Sequence, residues 1–176
     1  MRNHNHQASS VRRQRLLVLL TAVSGLLLGA CSSIDCPVKN KVRAVYSIRR
    51  ATTMAADTLK DTLYVRSKRA DGSDTLLLNG SSKVQQFSVQ VSYNRPEDTL
   101  FFNFRNGAYN AVDTVWLKKD DMPHFESVDC NPTYFHRLTA VRSTNHAIDS
   151  ITINNPTVTY DDSSTQHLYL YLKSHN

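Results

Sequence analysis

The densest chemistry in the chain lies at His124, Glu126 and His136. Two imidazoles and a carboxylate could bind zinc or perform general acid–base work. Suppose Asn131, Pro132 and Thr133 close a hairpin that pairs Cys130 with Tyr134. Val128 then faces His136, Glu126 faces Leu138 and His124 faces Ala140. In that register the three polar side chains share one face, with Glu126 and His136 as diagonal neighbours. Val128, Cys130 and Leu138 share the same face, so the competing reading is a core face with polar members at its rim or hydrogen-bonded. Tyr64, Phe101, Trp116, Tyr169 and Tyr171 form a second group, opposite the main apolar positions. Exposed aromatics on a sheet stack on sugars or meet a protein partner. The alternative is that both faces of those strands are buried. Trp116, the only tryptophan, is the leading ligand-binding candidate.

Other signatures exclude more than they suggest. Asp-Thr recurs at Asp57, Asp61, Asp74, Asp98 and Asp113. A calcium loop would need a regular Asp-x-Asp-x-Asp-Gly array, which is missing. The competing reading is a strand start, where Asp closes a turn and β-branched Thr opens the strand. There is no Gly-x-Ser-x-Gly elbow and no His-Glu-x-x-His. Beyond residue 30 the glycines are Gly72, Gly80 and Gly107, too isolated to cradle a phosphate. Glu97 and Glu126 are the only glutamates, so a carboxylate-pair hydrolase would have to rely on Asp. No cofactor and no catalytic set follows from these patterns, and a non-enzymatic role is expected.

The first thirty residues decide where the chain works. Arg2, Arg12, Arg13 and Arg15 precede the apolar run LLVLLTAVSGLLLGA, with no acidic residue before Cys31. A basic start, a short apolar core and small residues at a cut site make an export signal. Leu28-Gly29-Ala30-Cys31 resembles the bacterial lipobox, in which the cysteine thiol takes a diacylglycerol before cleavage. The resemblance implies a signal at residues 1–30, a lipidated tether at 31–40 and one domain at 41–176. Several acyl chains, palmitate among them, hold a protein stably to a bilayer at about 0.8 kcal/mol per buried methylene. Ser32 after the cysteine points, by sorting rules, to the outer membrane. Removing the four signal arginines leaves 17 cations against 15 acids, a net charge of +2. Without a strongly basic footprint, nucleic acid is not an expected partner. The expected partners are the membrane, through Cys31, and an envelope protein or glycan.

Cys36 and Cys130 remain, and an oxidising compartment favours joining them. Free thiols or a metal pair are the alternatives. The supporting elements follow a period of two. Val42, Ala44, Tyr46 and Ile48 alternate with polar or smaller residues, as do Leu63 and Val65, Phe87 to Val91, Leu100 to Phe104, Val115 and Leu117, and Leu168 to Leu172. Turn clusters separate them: Asp71-Gly72-Ser73, Asn79-Gly80-Ser81, Asn94-Arg95-Pro96, Asn106-Gly107 and Asn154-Asn155-Pro156. This spacing predicts an all-β, antiparallel β-sandwich of Ig-like, Greek-key type with about nine or ten strands. Residues 51–56 are expected to form a helical turn or a loop.

The stretch Pro123 to Cys130, read PHFESVDC, followed by Tyr134-Phe135-His136, is distinctive. With Asp35-Cys36-Pro37 and Ile148-Asp149-Ser150-Ile151 it resembles a family of uncharacterised Bacteroidota lipoproteins. That resemblance implies an outer-membrane-associated lipoprotein with one cysteine near each end of its domain, matched here by Cys36 and Cys130. It implies no activity. Two other roles stay open: an envelope hydrolase or metal enzyme using His124, Glu126 and His136, and an adhesin or pilus-like subunit with His167 to Lys173 as a donor or edge strand.

Overall fold

A computed structural model describes Cys36 and residues 42–69, 71–160 and 165–174. The expected signal at residues 1–30, Cys31 and the rest of the expected tether lie outside them. Ten strands and no helix occur among the described residues. They are β1 (Arg43–Arg49), β2 (Thr62–Lys68), β3 (Asp74–Ser81), β4 (Gln86–Gln90), β5 (Glu97–Asn106), β6 (Tyr109–His124), β7 (Thr133–Ser143), β8 (Ile148–Ile153), β9 (Thr157–Val158) and β10 (Leu168–Leu172). One sheet has the order β4-β1-β10-β8 and the other β3-β2-β5-β6-β7-β9. The expected all-β sandwich is therefore present. One pairing departs from the antiparallel expectation: β1 and β10 run parallel, Tyr46 opposite Leu168. Because β10 already pairs with β1 and β8, it is an interior strand rather than a free edge.

The alternating apolar residues meet between the sheets. Tyr46, Ile48, Phe87, Val89, Leu168 and Leu170 pack against Leu63, Val65, Leu100, Phe102, Phe104, Val115 and Leu117. Tyr46 stacks on Phe87 with ring centroids 5.1 Å apart, and Phe102 meets it edge-on at 5.5 Å. Such pairs add about 0.5–1.5 kcal/mol beyond their buried area. Burial, and then the charge of Asp98, push the Tyr46 hydroxyl well above the ordinary tyrosine range.

Two expectations need local correction. Asn79-Gly80-Ser81 is not a turn. It lies inside β3, where the pairing with β2 slips and Gly80 takes φ 74°. A bulge places one extra residue in a strand, and glycine accepts that left-handed backbone at least cost. Residues 51–56 match the expected helical turn, closed by the Met54 N–H on the Arg50 carbonyl at 2.9 Å and a bridge between Arg49 and Ala56. The β6–β7 connection spans residues 125–132, not 131–133.

Polar side chains lock the crossings between sheets. Asp113 of β6 is fully buried, and its carboxylate accepts from the His146, Ala147 and Ile148 N–H groups at 2.6, 2.7 and 2.8 Å. The Thr144 hydroxyl adds a fourth bond at 2.8 Å. Burial alone would raise its pKa. The hydrogen bonds outweigh burial and hold it below the usual carboxylate value. Asp98 is likewise buried and accepts from the Ser92 N–H at 3.0 Å and from the Ser92 hydroxyl. These aspartates of the Asp-Thr repeats thus reach across loops rather than simply opening their own strands.

Candidate functional site

The β6–β7 register dissolves the His124, Glu126 and His136 cluster. Asp121, not Val128, stands opposite His136, and His124 stands opposite Thr133. The longer connection shifts the pairing and leaves Glu126 and Val128 in the loop. His124 Nε2 lies 3.3 Å from Glu126 Oε1, and its ring stacks on Phe135 at 4.3 Å. His136 is buried and bonds Asp121 at 2.7 Å through Nδ1. Counting alternation from the Asp121–His136 pair puts His124 and Phe135 on the opposite side of the hairpin. Two imidazoles and a carboxylate therefore do not converge. Val128, expected to share a core face, is 98% exposed.

His136 belongs to a different group, which sequence reasoning missed. The Lys119 ammonium is buried and donates to the Arg95 carbonyl at 2.5 Å and to Asp121 at 3.2 Å. Burial lowers the His136 pKa. The hydrogen bond to Asp121 opposes that, and the Lys119 charge reinforces it. A neutral imidazole, a carboxylate and an ammonium make a satisfied internal network whose role is to join β6, β7 and the loop before β5. Among the described residues no group of three or more His, Cys, Asp or Glu side chains is placed to hold a metal ion.

Trp116 leads to a more promising surface. Its outward neighbours follow from the register. Thr99, Trp116 and Arg142 form one row across β5, β6 and β7. Arg66, Phe101 and Thr114 form the next, and Tyr64, Asn103 and Val112 the one after. The Arg142 guanidinium lies 4.0 Å from the Trp116 ring centre and 3.1 Å from a Glu97 oxygen. The Arg105 guanidinium lies 5.3 Å from the Tyr64 ring centre. Gly80 is part of this surface, because a Cβ there would sit 3.5 Å from the Tyr64 ring. Arg66, Lys68, Asp74, Phe101, Asn103 and Val112 line an open cavity of about 570 Å³.

The charge balance of this face is cationic. Register places Arg66, Lys68, Arg105, Lys118, Arg137 and Arg142 outward, against Asp74, Glu97 and Asp120. The face combines half-buried rings, which offer flat apolar contact, with guanidinium groups, which bind carboxylate or phosphate in a fixed fork. Of these cations only Arg66 was legible in the sequence, as a position alternating with Leu63 and Val65. The family of unknown function DUF6452 matches residues 62–172. The chain belongs to that family. The DUF6452 region runs from the first residue of β2 to the last of β10. It includes the whole aromatic and cationic face and the Asp113 lock, and leaves β1 outside. No curated protein and no solved structure matches the chain.

The remaining candidates divide. Tyr169 and Tyr171 lie on β10, in the other sheet. Arg49 covers the Tyr169 ring at 4.7 Å, and Tyr171 is buried with its hydroxyl 3.2 Å from the Met54 sulfur. Cys36 and Cys130 are bonded to each other, with Cα atoms 5.6 Å apart. Lipidation of Cys31 concerns a residue outside the described ones. No helix among the described residues is long and apolar enough to cross a membrane.

Proposed function

We propose that the chain is an outer-membrane-anchored lipoprotein that binds an acidic polysaccharide of the cell envelope, without catalysis, through the outer face of its six-stranded sheet. The Leu28-Gly29-Ala30-Cys31 motif and the resemblance of residues 123–130 to Bacteroidota lipoproteins support the anchor and its setting. The observation that carries the binding role is the outward array of Tyr64, Phe101 and Trp116 among Arg66, Arg105 and Arg142. Rings stack on the apolar faces of sugars, and guanidinium groups meet acidic substituents. The open cavity beside Phe101 leaves room for a sugar ring. A hydrolase reading would need His136 to meet Glu126, whereas it meets Asp121.

Calorimetric titration of the folded protein with polygalacturonate tests this. Binding is expected, weakening as salt is added, because part of it is charge attraction. Trp116→Ala is expected to weaken it about tenfold. Arg142→Ala should weaken it less and flatten the salt dependence. Equal affinity for neutral dextran, or affinity unchanged in both variants, would reject this surface.

A further inference from the structure

Exposed large apolar side chains cluster at one end of the sandwich. Of the seven among the described residues, Tyr93, Met122, Phe125 and Val128 lie where β6 gives way to β7. Met122 is the third-last residue of β6, and Phe125 and Val128 belong to the connection that follows. Tyr93 joins them by stacking on Tyr134 at 5.3 Å, and Tyr134 pairs with Pro123. Phe125 is 61% exposed and Val128 98%. Exposed apolar side chains gathered at one end of a fold, Phe125 and Val128 in a single connection, mark a surface with a partner.

The covalent structure says which partner. Cys130, two residues after Val128, is bonded to Cys36. Cys36 follows Cys31 by five residues, so the intervening chain can reach at most about 18 Å. The loop is therefore tied by a short leash to whatever holds Cys31. We infer that residues 125–132 form a membrane-contact loop, with Phe125 and Val128 entering the interface of the bilayer that holds the acyl chains of Cys31. The inference rests on the lipid-anchor reading above. The loop's acids argue for shallow apolar contact rather than charge attraction: Glu126 pairs with His124, and Asp129 is exposed. A phosphatidylethanolamine-rich surface suits it better than a strongly anionic one. Docked this way, β6, 16 residues and roughly 50 Å long, carries the Gly107 hairpin tip away from the membrane. The aromatic face is then left open to the side.

The test uses the full processed chain in phosphatidylethanolamine vesicles containing brominated lipid. Trp116 alone gives the baseline emission of the native chain, and Phe125→Trp adds a second emitter at the loop. Acylation is read by mass spectrometry and vesicle attachment by flotation. The expected result is an acylated, floating protein whose added emission falls by about half or more, since interfacial side chains sit only about 5–10 Å deep. Leu76→Trp, on the far edge strand, should not be quenched. An acylated, floating protein with no quenching at residue 125 would overturn the loop's role and leave the anchor standing. A residue 31 without acyl chains would overturn both.

Discussion

Asp113 and Trp116 stand three residues apart on β6 and do opposite work. Asp113 points inward, is fully buried, and gathers four hydrogen bonds from the β7–β8 crossing. Trp116 points outward, half-buried, and is covered by one guanidinium. The difference shows where this chain spends its chemistry. Asp98, Asp113, Lys119 and His136 are buried and held by hydrogen bonds that fix strands and the crossings between them. Tyr64, Phe101 and Trp116 face out among Arg66, Arg105 and Arg142. Inward substitutions should therefore cost stability, and outward ones should cost binding.

The largest effect should come from Asp113→Ala. It strands the buried N–H groups of Ala147 and Ile148 and the part-buried one of His146, and breaking such a set costs about 3–5 kcal/mol. Urea unfolding would measure it, and a loss below about 1 kcal/mol would erase the inward half of the contrast. Cys130→Ser comes next. The bond closes a loop of 93 intervening residues, and its removal is expected to cost about 2–5 kcal/mol by the same assay.

Acid should act through the interior as well. The His136 pKa is lowered on folding, so the unfolded chain binds its proton first as pH falls. The contribution of a neutral His136 is complete above about 6.5 and is lost on going below it, with a slope of at most about 1.4 kcal/mol per pH unit. Asp113, also lowered, keeps its contribution above the usual carboxylate value and loses it at lower pH still. His136→Gln should flatten the first phase in urea midpoints taken across pH 5–7, around the ordinary histidine pKa of about 6.5. An unchanged slope would mean that His136 is not held neutral. The smallest stability effect belongs to Trp116→Ala, about 1 kcal/mol for the lost ring–guanidinium contact, with the native fold retained by circular dichroism.

Much of the fold was legible because burial on one side of a strand writes itself as alternation. Leu63 and Val65, Phe87 and Val89, and Leu100, Phe102 and Phe104 all fall on strands with those residues buried. Where alternation fails, so did the reading. Leu76-Leu77-Leu78 has no period, and Gly80, a bulge residue, looks like a turn. The candidate site suffered from a subtler gap. Register between two strands depends on loop length, and nothing in Asn131-Pro132 said that the loop begins at Phe125. The slip carried His136 from Glu126 to Asp121. Trp116 was readable as an outward ring. Its partner Arg142 was not, because a cross-strand neighbour depends on the same register.

Amide chemical-shift mapping of the folded domain during titration with polygalacturonate tests the central claim most directly. The shifts are expected to concentrate on residues 64–66, 101–103, 114–118 and 142, with the amides of residues 146–148 unmoved. Shifts gathered around His124 and His136 instead, or spread without pattern, would contradict an outward-facing recognition surface.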